Sequence, residues 1–448
     1  MSFADEVEAF AAANPGVDVV EVLFSDIGGV WRGKQYPFKS LAKMGESGAN
    51  FPLSALLLNA HGETPREVLE DPLGGDPDGV FFPVPGSLRI IPWEKRPTAQ
   101  VIVRAHGPDG KPWLGDPARV LHQALEPFRL MELKPVVALE YEFYLVDASQ
   151  DPPRPLTPPR GGVPFEGAQC YNMDVLYDAA DFLDELEDVC EIQNIPITTI
   201  LCEYGDGQFE ANLQHVDDPV KACDDAMYLK RAVKALARKR GLVASYMAKP
   251  FSEGTGSGMH IHMSVLDRKG RNIFSGIEGE VALKHAIGGM LETMSEAMAF
   301  FAPNANSYRR LQPGAFAPWG PNWGVNHRSV AVRVPLSGDS DARFEHRVSG
   351  ADACPYLALA AVLAGAHHGL SQRLDPGPAI ATGRRGGAPP PMPLRWREAL
   401  NALDDAQIIP DYLGEDFINL YLRAKRIEEQ LFHAEVSDRD LGWYLRVI

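Results

Sequence analysis

The sequence predicts an α+β protein built in two units, and three observations carry that prediction. The first hundred or so residues hold short β-patterned runs separated by turn signals, with one helical segment at the start. Beyond Asp116 the character changes, and long helical patterns alternate with strands. The chain has 448 residues, more than one hydrophobic core usually organises. The turn Gly107-Pro108-Asp109-Gly110 marks the end of the small unit, which gives expected domains of 1–112 and 113–448.

Taken in order, residues 3–13 read as a short helix. Val19 to Phe24 and Gly29 to Tyr36 are strand-like runs broken by Ser25-Asp26-Ile27-Gly28, a hairpin signal. Ser87 to Pro92 and Ala99 to Ala105 continue the β pattern. Asp116 can cap a helix with Pro117 at its first position. Val136 to Val146 is a strong strand that carries Glu140 and Glu142. Asp218-Pro219 opens a long helix ending at Gly241, with Ala222, Ala226, Leu229, Val233 and Leu236 at helical spacing. Residues 281–301 and 353–373 are Ala/Leu-rich and predict buried helices. The Pro/Gly-rich stretches Asp151 to Gly167 and Asp375 to Pro393 read as surface loops or hinges.

Composition narrows the function. At 45% hydrophobic and 23% charged the chain is globular, and no run of about 20 apolar residues predicts a membrane span. Met1 to Asn14 carries Asp5, Glu6 and Glu8 and lacks the basic and apolar parts of a signal peptide. Cys170, Cys190, Cys202, Cys223 and Cys354 are scattered and odd in number, which fits free thiols in a reducing cytoplasm. A net charge of −17 argues against a nucleic-acid partner. The acidity reads first as a solubility feature and second as a mild attraction for cationic amines.

Three segments place ionisable residues two apart in apolar, strand-like contexts: Glu140-Tyr141-Glu142, Gly256-Ser257-Gly258-Met259-His260-Ile261-His262, and Arg343-Phe344-Glu345-His346-Arg347. In a strand, i and i+2 share a face. Carboxylates, imidazoles and guanidiniums would thus converge on one space, where like charges repel unless cations sit among them. The alternative for Glu140 and Glu142 is a solvent-facing edge, but Val136 to Leu139 and Phe143 to Leu145 are too apolar for that. Glu203 and Glu210 flank Tyr204-Gly205-Asp206-Gly207, either a surface hairpin or a turn that returns the second carboxylate near the first. Arg343, Glu345 and Arg347 read either as a salt-bridge ladder or, with the glutamates, as part of an anion-and-metal site. A donor set of carboxylates with one or two imidazoles and no thiolate suits Mg²⁺ or Mn²⁺ better than structural zinc. No P-loop or GxGxxG motif is present.

In this order, Glu140-x-Glu142, Gly207-Gln208-Phe209-Glu210, Gly256 to His262, Asn306-Ser307-Tyr308-Arg309-Arg310 and Arg343 to Arg347 resemble the glutamine synthetase superfamily, from about Val19 to the C-terminus. The resemblance implies a small β-grasp domain and a catalytic domain of antiparallel strands and helices. It also implies rings of six subunits, usually stacked as twelve, with each active site between subunits. One metal would be held by Glu142, Glu203 and Glu210, and a second by Glu140, His260 and Glu345. His262, Ser264, Arg328, Arg333 and Arg343 align with ATP-binding positions; Gly256, Arg310 and Arg347 align with glutamate-binding ones. Arg328 and Glu345 carry catalytic roles in the same alignment. The implied reaction uses ATP to phosphorylate the γ-carboxylate of L-glutamate, after which a nitrogen nucleophile displaces phosphate.

The departures point to the nucleophile. Ammonia-using members have an acid where this chain has Pro52, in Phe51-Pro52-Leu53-Ser54, and a flap glutamate where Phe316 stands. Losing both acids removes a cation site and leaves an apolar entrance for an amine with a hydrocarbon body. With Trp31-Arg32-Gly33-Lys34, this looks most like the γ-glutamylpolyamine synthetase branch, hence polyamine catabolism. Gly383-Arg384-Arg385-Gly386-Gly387 lies where adenylylated relatives carry their tyrosine, so that control is not expected. The expected activity is ligation of glutamate to a polyamine or monoamine. The alternatives are an ammonia-dependent glutamine synthetase and a non-catalytic relative acting through interactions.

Overall fold

The computed structural model describes residues 2–70, 73–157, 160, 167–312, 316–381 and 392–448. Gly383 to Gly387, most of the Asp375 to Pro393 stretch, and Pro313 to Ala315 therefore lie outside the described residues.

α1 (Phe3–Ala13) begins with a capping box in which Ser2 and Asp5 satisfy each other's backbone N–H groups. β1 (Val19–Ser25) and β2 (Trp31–Pro37) form the expected antiparallel hairpin. Asp26 fixes its turn by accepting from the N–H groups of Gly28 and Val30, each at 2.9 Å, and from the Arg32 guanidinium at 2.9 Å. α2 (Leu41–Ser47), β3 (Ala49–Pro52), α3 (Arg66–Glu70), β4 (Asp78–Pro83), β5 (Arg89–Ile91) and β6 (Thr98–His106) follow. The strands form a six-stranded sheet in the order β2-β1-β6-β4-β3, with β5 also on β6. β1 and β6 run parallel at its centre, the β-grasp arrangement. β3 and β4 lie outside the strands that patterning predicts, because Pro52, Gly79 and Pro83 interrupt their alternation and cross-strand pairing holds them instead.

Asp116 links the two units: one carboxylate oxygen caps α4 (Pro117–Leu130) through the Ala118 N–H, and the other accepts from Ala105 in β6, both at 2.9 Å. The chain continues through β7 (Lys134–Asp147), β8 (Arg154–Pro155), α5 (Met173–Asp178), α6 (Ala180–Ile192), β9 (Ile197–Cys202) and β10 (Gln208–Leu213). After α7 (Pro219–Lys239), capped by Asp218, come β11 (Val243–Ser245), β12 (Met259–Leu266), α8 (Gly276–Phe301), β13 (Trp323–Val325), β14 (Val332–Val334) and β15 (Phe344–His346). α9 (Pro355–Gln372), α10 (Trp396–Asp404), α11 (Ile409–Leu413), α12 (Glu415–Ala434) and α13 (Asp438–Tyr444) complete it. The large sheet has nine strands, with the path β13-β14-β15-β12-β7-β10-β9 and β8 and β11 on β7. α8 and α9 are the expected buried helices. They touch backbone to backbone because Gly289, Gly365 and Gly369 lack side chains: a Cβ on Gly289 would fall 2.1 Å from the Gly365 carbonyl oxygen. Among the described residues no helix is long and apolar enough to cross a membrane.

Candidate active site

The register of the large sheet gathers the ionisable pairs onto one face. Glu140 of β7 stands opposite Asn212 of β10 and His260 of β12, and Glu142 opposite Glu210 of β10. His262 stands opposite Glu345 of β15, which in turn faces Arg333 of β14. Directly opposed residues in adjacent strands share a face at close range. Tyr141, Phe143, Met259, Ile261 and Phe344 take the other face and are fully buried in the core. That alternation fixes the register and with it the charged constellation.

Two groups of donors result. Glu140, His260 and Glu345 offer ligand atoms within 4.8 Å of one another, and so do Glu142, Glu210 and His260. His260 Nδ1 lies 3.2 Å from Glu140, and its Nε2 lies 3.8 Å from Glu142. The first group is the set aligned with one metal. In the second, His260 rather than Glu203 completes the cluster. Glu203 sits one residue past β9 and accepts the N–H of Tyr204 at 3.1 Å, which holds it beside the group, still on the wall of the same cavity. Carboxylate sets with one imidazole and no thiolate suit a hard divalent ion, so the donors fit Mg²⁺ or Mn²⁺.

The electrostatics show a face short of cations. Burial and the neighbouring Glu203 push the Glu142 carboxyl up to about 7. Burial together with Glu140, Glu142 and Glu203 holds Glu210 well above the carboxylate range. Burial also works to raise Glu345, but Arg347, His260 and His262 bring it to about 2. Burial and Arg347 keep His260 neutral, near 4, the form that can ligate a metal. Arg333 donates to Glu345 at 2.7 Å, and Arg347 pairs with the other oxygen of the same carboxylate. Arg343 donates to His262 Nδ1 at 3.1 Å, leaving Nε2 facing Glu140 at 2.8 Å. Ser264 follows on the same strand face, two residues beyond His262.

A cavity of about 1050 Å³ opens over this face. Gly256, Arg310, Arg328, Arg333, Arg347 and Phe316 line it together with the five glutamates. Arg310 donates to the Val348 and Arg347 carbonyls at 2.8 and 3.2 Å and runs along the glycine loop; a Cβ on Gly256 would sit 2.6 Å from its Cγ. Pro52 does not line the cavity: it ends β3 in the small sheet, and one chain alone does not bring it to Phe316. Patterning missed Tyr171, Tyr204, Asn212 and Lys249, which also line the cavity. Tyr204 had a signal, an aromatic residue inside the turn between Glu203 and Glu210; a lone tyrosine, asparagine or lysine in a loop has none.

Residues 114–444 match the family described as glutamine synthetase, catalytic domain. The γ-glutamylputrescine synthetase of Escherichia coli (strain K12) is 37% identical over 99% of this chain and 95% of its own length. A glutamate–isopropylamine ligase of a Pseudomonas species is 30% identical over 96% of each chain. A solved GmaS–ADP complex superposes with a TM-score of 0.86 at 26% identity, covering 98% of this chain and 99% of that one. The carboxylate-lined strand face thus sits in a chain that matches, over nearly its whole length, enzymes that form carbon–nitrogen bonds, and the chain belongs to the glutamine synthetase family of ligases.

Proposed function

We propose that the protein joins the γ-carboxylate of L-glutamate to a small organic amine, with ATP converted to ADP and phosphate. The observation that carries this reading is the pairing of two unlike walls in one cavity. Five carboxylates, six arginines and one lysine line it, while Phe316 stands against Tyr204 at 5.1 Å, where an ammonium-binding acid would be expected. The names of the two amine-ligating relatives support the same class of substrate.

Glu140, His260 and Glu345 would hold one divalent ion, and Glu142 and Glu210 with Glu203 a second. Such ions neutralise phosphate oxygens and polarise the transferring phosphoryl group when bound. The chain's own residues do the positioning. Arg310, braced by two carbonyls, and Arg347 face the cavity where a substrate carboxylate needs planar, bidentate partners. Arg328 and Arg333 present charge for the phosphoryl group as ADP departs. His262 with Arg343 and Ser264 extends the strand face toward the nucleotide. A γ-carboxylate oxygen attacks the γ-phosphorus and ADP leaves; the amine nitrogen then attacks the acyl carbon and phosphate leaves, with the surplus proton passing to solvent. In this reading 1–112 and 113–448 are the functional domains. The unit is a ring assembly in which Pro52 reaches the cavity from a neighbouring copy, and the compartment is the cytoplasm.

A phosphate-release assay with glutamate, ATP, Mg²⁺ and either ammonium or a series of amines tests the proposal. Alkyl amines are expected to support faster release than ammonium at equal concentration. Release on ammonium equal to that on every amine would return the chain to glutamine synthesis.

A further inference from the structure

The strand face does not end at Glu142 and Glu210. The next opposed pair along it is Tyr144 of β7 and Gln208 of β10, both buried. The Gln208 amide offers two hydrogens and two lone pairs, and all four are taken. Its nitrogen donates to the Gly256 carbonyl at 3.0 Å and to the Ser257 hydroxyl at 3.2 Å. Its oxygen accepts the Gly205 N–H at 3.0 Å and the Thr255 hydroxyl at 2.5 Å. A carbonyl can only accept and a backbone N–H can only donate, so these partners fix which end of the amide is which. The Tyr144 hydroxyl closes the cluster by donating to the Thr255 carbonyl at 2.9 Å. A Cβ on Gly205 would fall 2.0 Å from that hydroxyl oxygen, so the turn approaches this closely only as glycine.

The amide therefore ties together two segments with different tasks. Gly205 lies in the turn between Glu203 and Glu210, and Gln208 stands two residues before Glu210. Thr255 to Ser257 belong to the loop that carries Gly256 against Arg310. Glu142 meets the same loop: one of its carboxylate oxygens accepts the Gly258 N–H at 2.7 Å and lies 3.5 Å from the Gln208 nitrogen. Its other oxygen faces His260 Nε2 at 3.8 Å. One carboxylate thus turns one oxygen to the donor group and the other to the loop. We propose that Gln208 is a positioning residue that locks the Gly256 loop to the Glu142–Glu203–Glu210 donor group, so that a divalent ion held by those acids and a glutamate held at the loop strengthen each other. This rests on the glutamate–amine ligase reading and extends it, because it names a side chain that would touch neither ligand and yet couple the two sites. Such coupling is reciprocal: the factor by which the ion tightens glutamate is the factor by which glutamate tightens the ion.

The test is Mn²⁺ titration of metal-free protein without ATP, with and without saturating L-glutamate, read from the free-ion paramagnetic resonance signal. The proteins are the unaltered chain, Gln208→Ala, Thr255→Val and Thr255→Ser. In the unaltered chain glutamate is expected to tighten Mn²⁺ by about fivefold or more, and in Gln208→Ala by about twofold or less, with Mn²⁺ affinity in the absence of glutamate little changed. Thr255→Val removes only the hydroxyl that the amide accepts and should lower the factor in the same direction, whereas Thr255→Ser should retain it. An undiminished factor in Gln208→Ala and Thr255→Val overturns the proposal. So does a loss of Mn²⁺ binding in Gln208→Ala without glutamate, which would make the amide a plain structural brace. Should Gln208→Ala fail to fold, the contrast between Thr255→Val and Thr255→Ser decides by the same criterion. No effect of glutamate on Mn²⁺ in an unaltered chain that still releases phosphate with glutamate overturns the proposal alone; no glutamate-dependent release at all would overturn the ligase reading beneath it.

Discussion

Two clusters of buried charge in this fold are built oppositely. One is the seam where the small sheet packs on α7 and α9. There Arg89 meets Asp225 at 2.5 Å and Lys221 reaches the other oxygen of Asp225 at 2.5 Å. Arg104 and the Tyr356 hydroxyl meet Asp224, each at 2.5 Å, and Arg231 pairs with Glu21. Burial works against the Arg104 charge, and Asp224, Tyr356 and Asp116 outweigh it. The other place is the strand face, where Glu142 and Glu210 are pushed up by burial and by one another. In the seam each buried acid meets a cation of the same chain; on the face the acids outnumber the cations that touch them. A closed charge network holds a structure together, whereas an open one awaits something from outside. The difference separates scaffold from site without reference to any relative.

The contrast can be broken most forcefully at the face. Glu210→Ala removes a ligand from the face and should lower phosphate release by about 10²–10³-fold or more. Burial and Glu140, Glu142 and Glu203 all work against the Glu210 charge, so its urea-unfolding midpoint should not fall. A large fall in midpoint would place Glu210 with the scaffold.

The converse substitution lies in the seam. Asp224→Ala leaves Arg104 buried without its carboxylate and should cost about 3–5 kcal/mol in urea unfolding. Replacing both partners by apolar residues, Asp224→Leu with Arg104→Met, should recover most of that loss. No recovery would mean that the pair acts through geometry the apolar side chains do not reproduce.

The smallest effect concerns Lys230, which lies beneath β7 facing the rings of Tyr246 and Tyr141 at 5.0 and 6.0 Å. Burial and the neighbouring Lys234 bring it down to about 7. Between pH 7 and the ordinary lysine range the unfolded chain binds this proton and the native chain does not, so stability should rise with pH across that interval. Below pH 7 the native state carries the full cost of charging the group. Lys230→Met should flatten the rise and stabilise the protein at neutral pH by roughly 1–3 kcal/mol. An unchanged pH profile of the unfolding midpoint would show that Lys230 keeps its proton in the native state.

How much of this was legible in the sequence follows from range. The i, i+2 pairs at Glu140, His260 and Glu345 announce a shared strand face, and the caps at Asp116 and Asp218 announce their helices, because these are local signals. What the sequence does not carry is which strands lie side by side. The opposition of Glu142 to Glu210, and the position of His260 between both donor groups, come from register across the sheet. The seam is illegible for the same reason: Arg89 and Asp225 are 136 residues apart and each reads alone as a surface charge. Tyr204 carries a local signal, an aromatic residue inside the turn between Glu203 and Glu210, but its contact with Phe316 comes only from the fold. Phe316 itself was found only as a departure from a family pattern, and Pro52, found in the same way, stays on the small sheet within one chain.

Binding of Mn²⁺ to metal-free protein, followed by the loss of the free-ion paramagnetic resonance signal, tests the division between open and closed charge most directly. The account predicts two ions per chain, one for each donor group, with binding lost or weakened in Glu142→Ala and Glu345→Ala and retained in Asp225→Asn. Equal binding by all of these variants, or no binding by the unaltered chain, would contradict it.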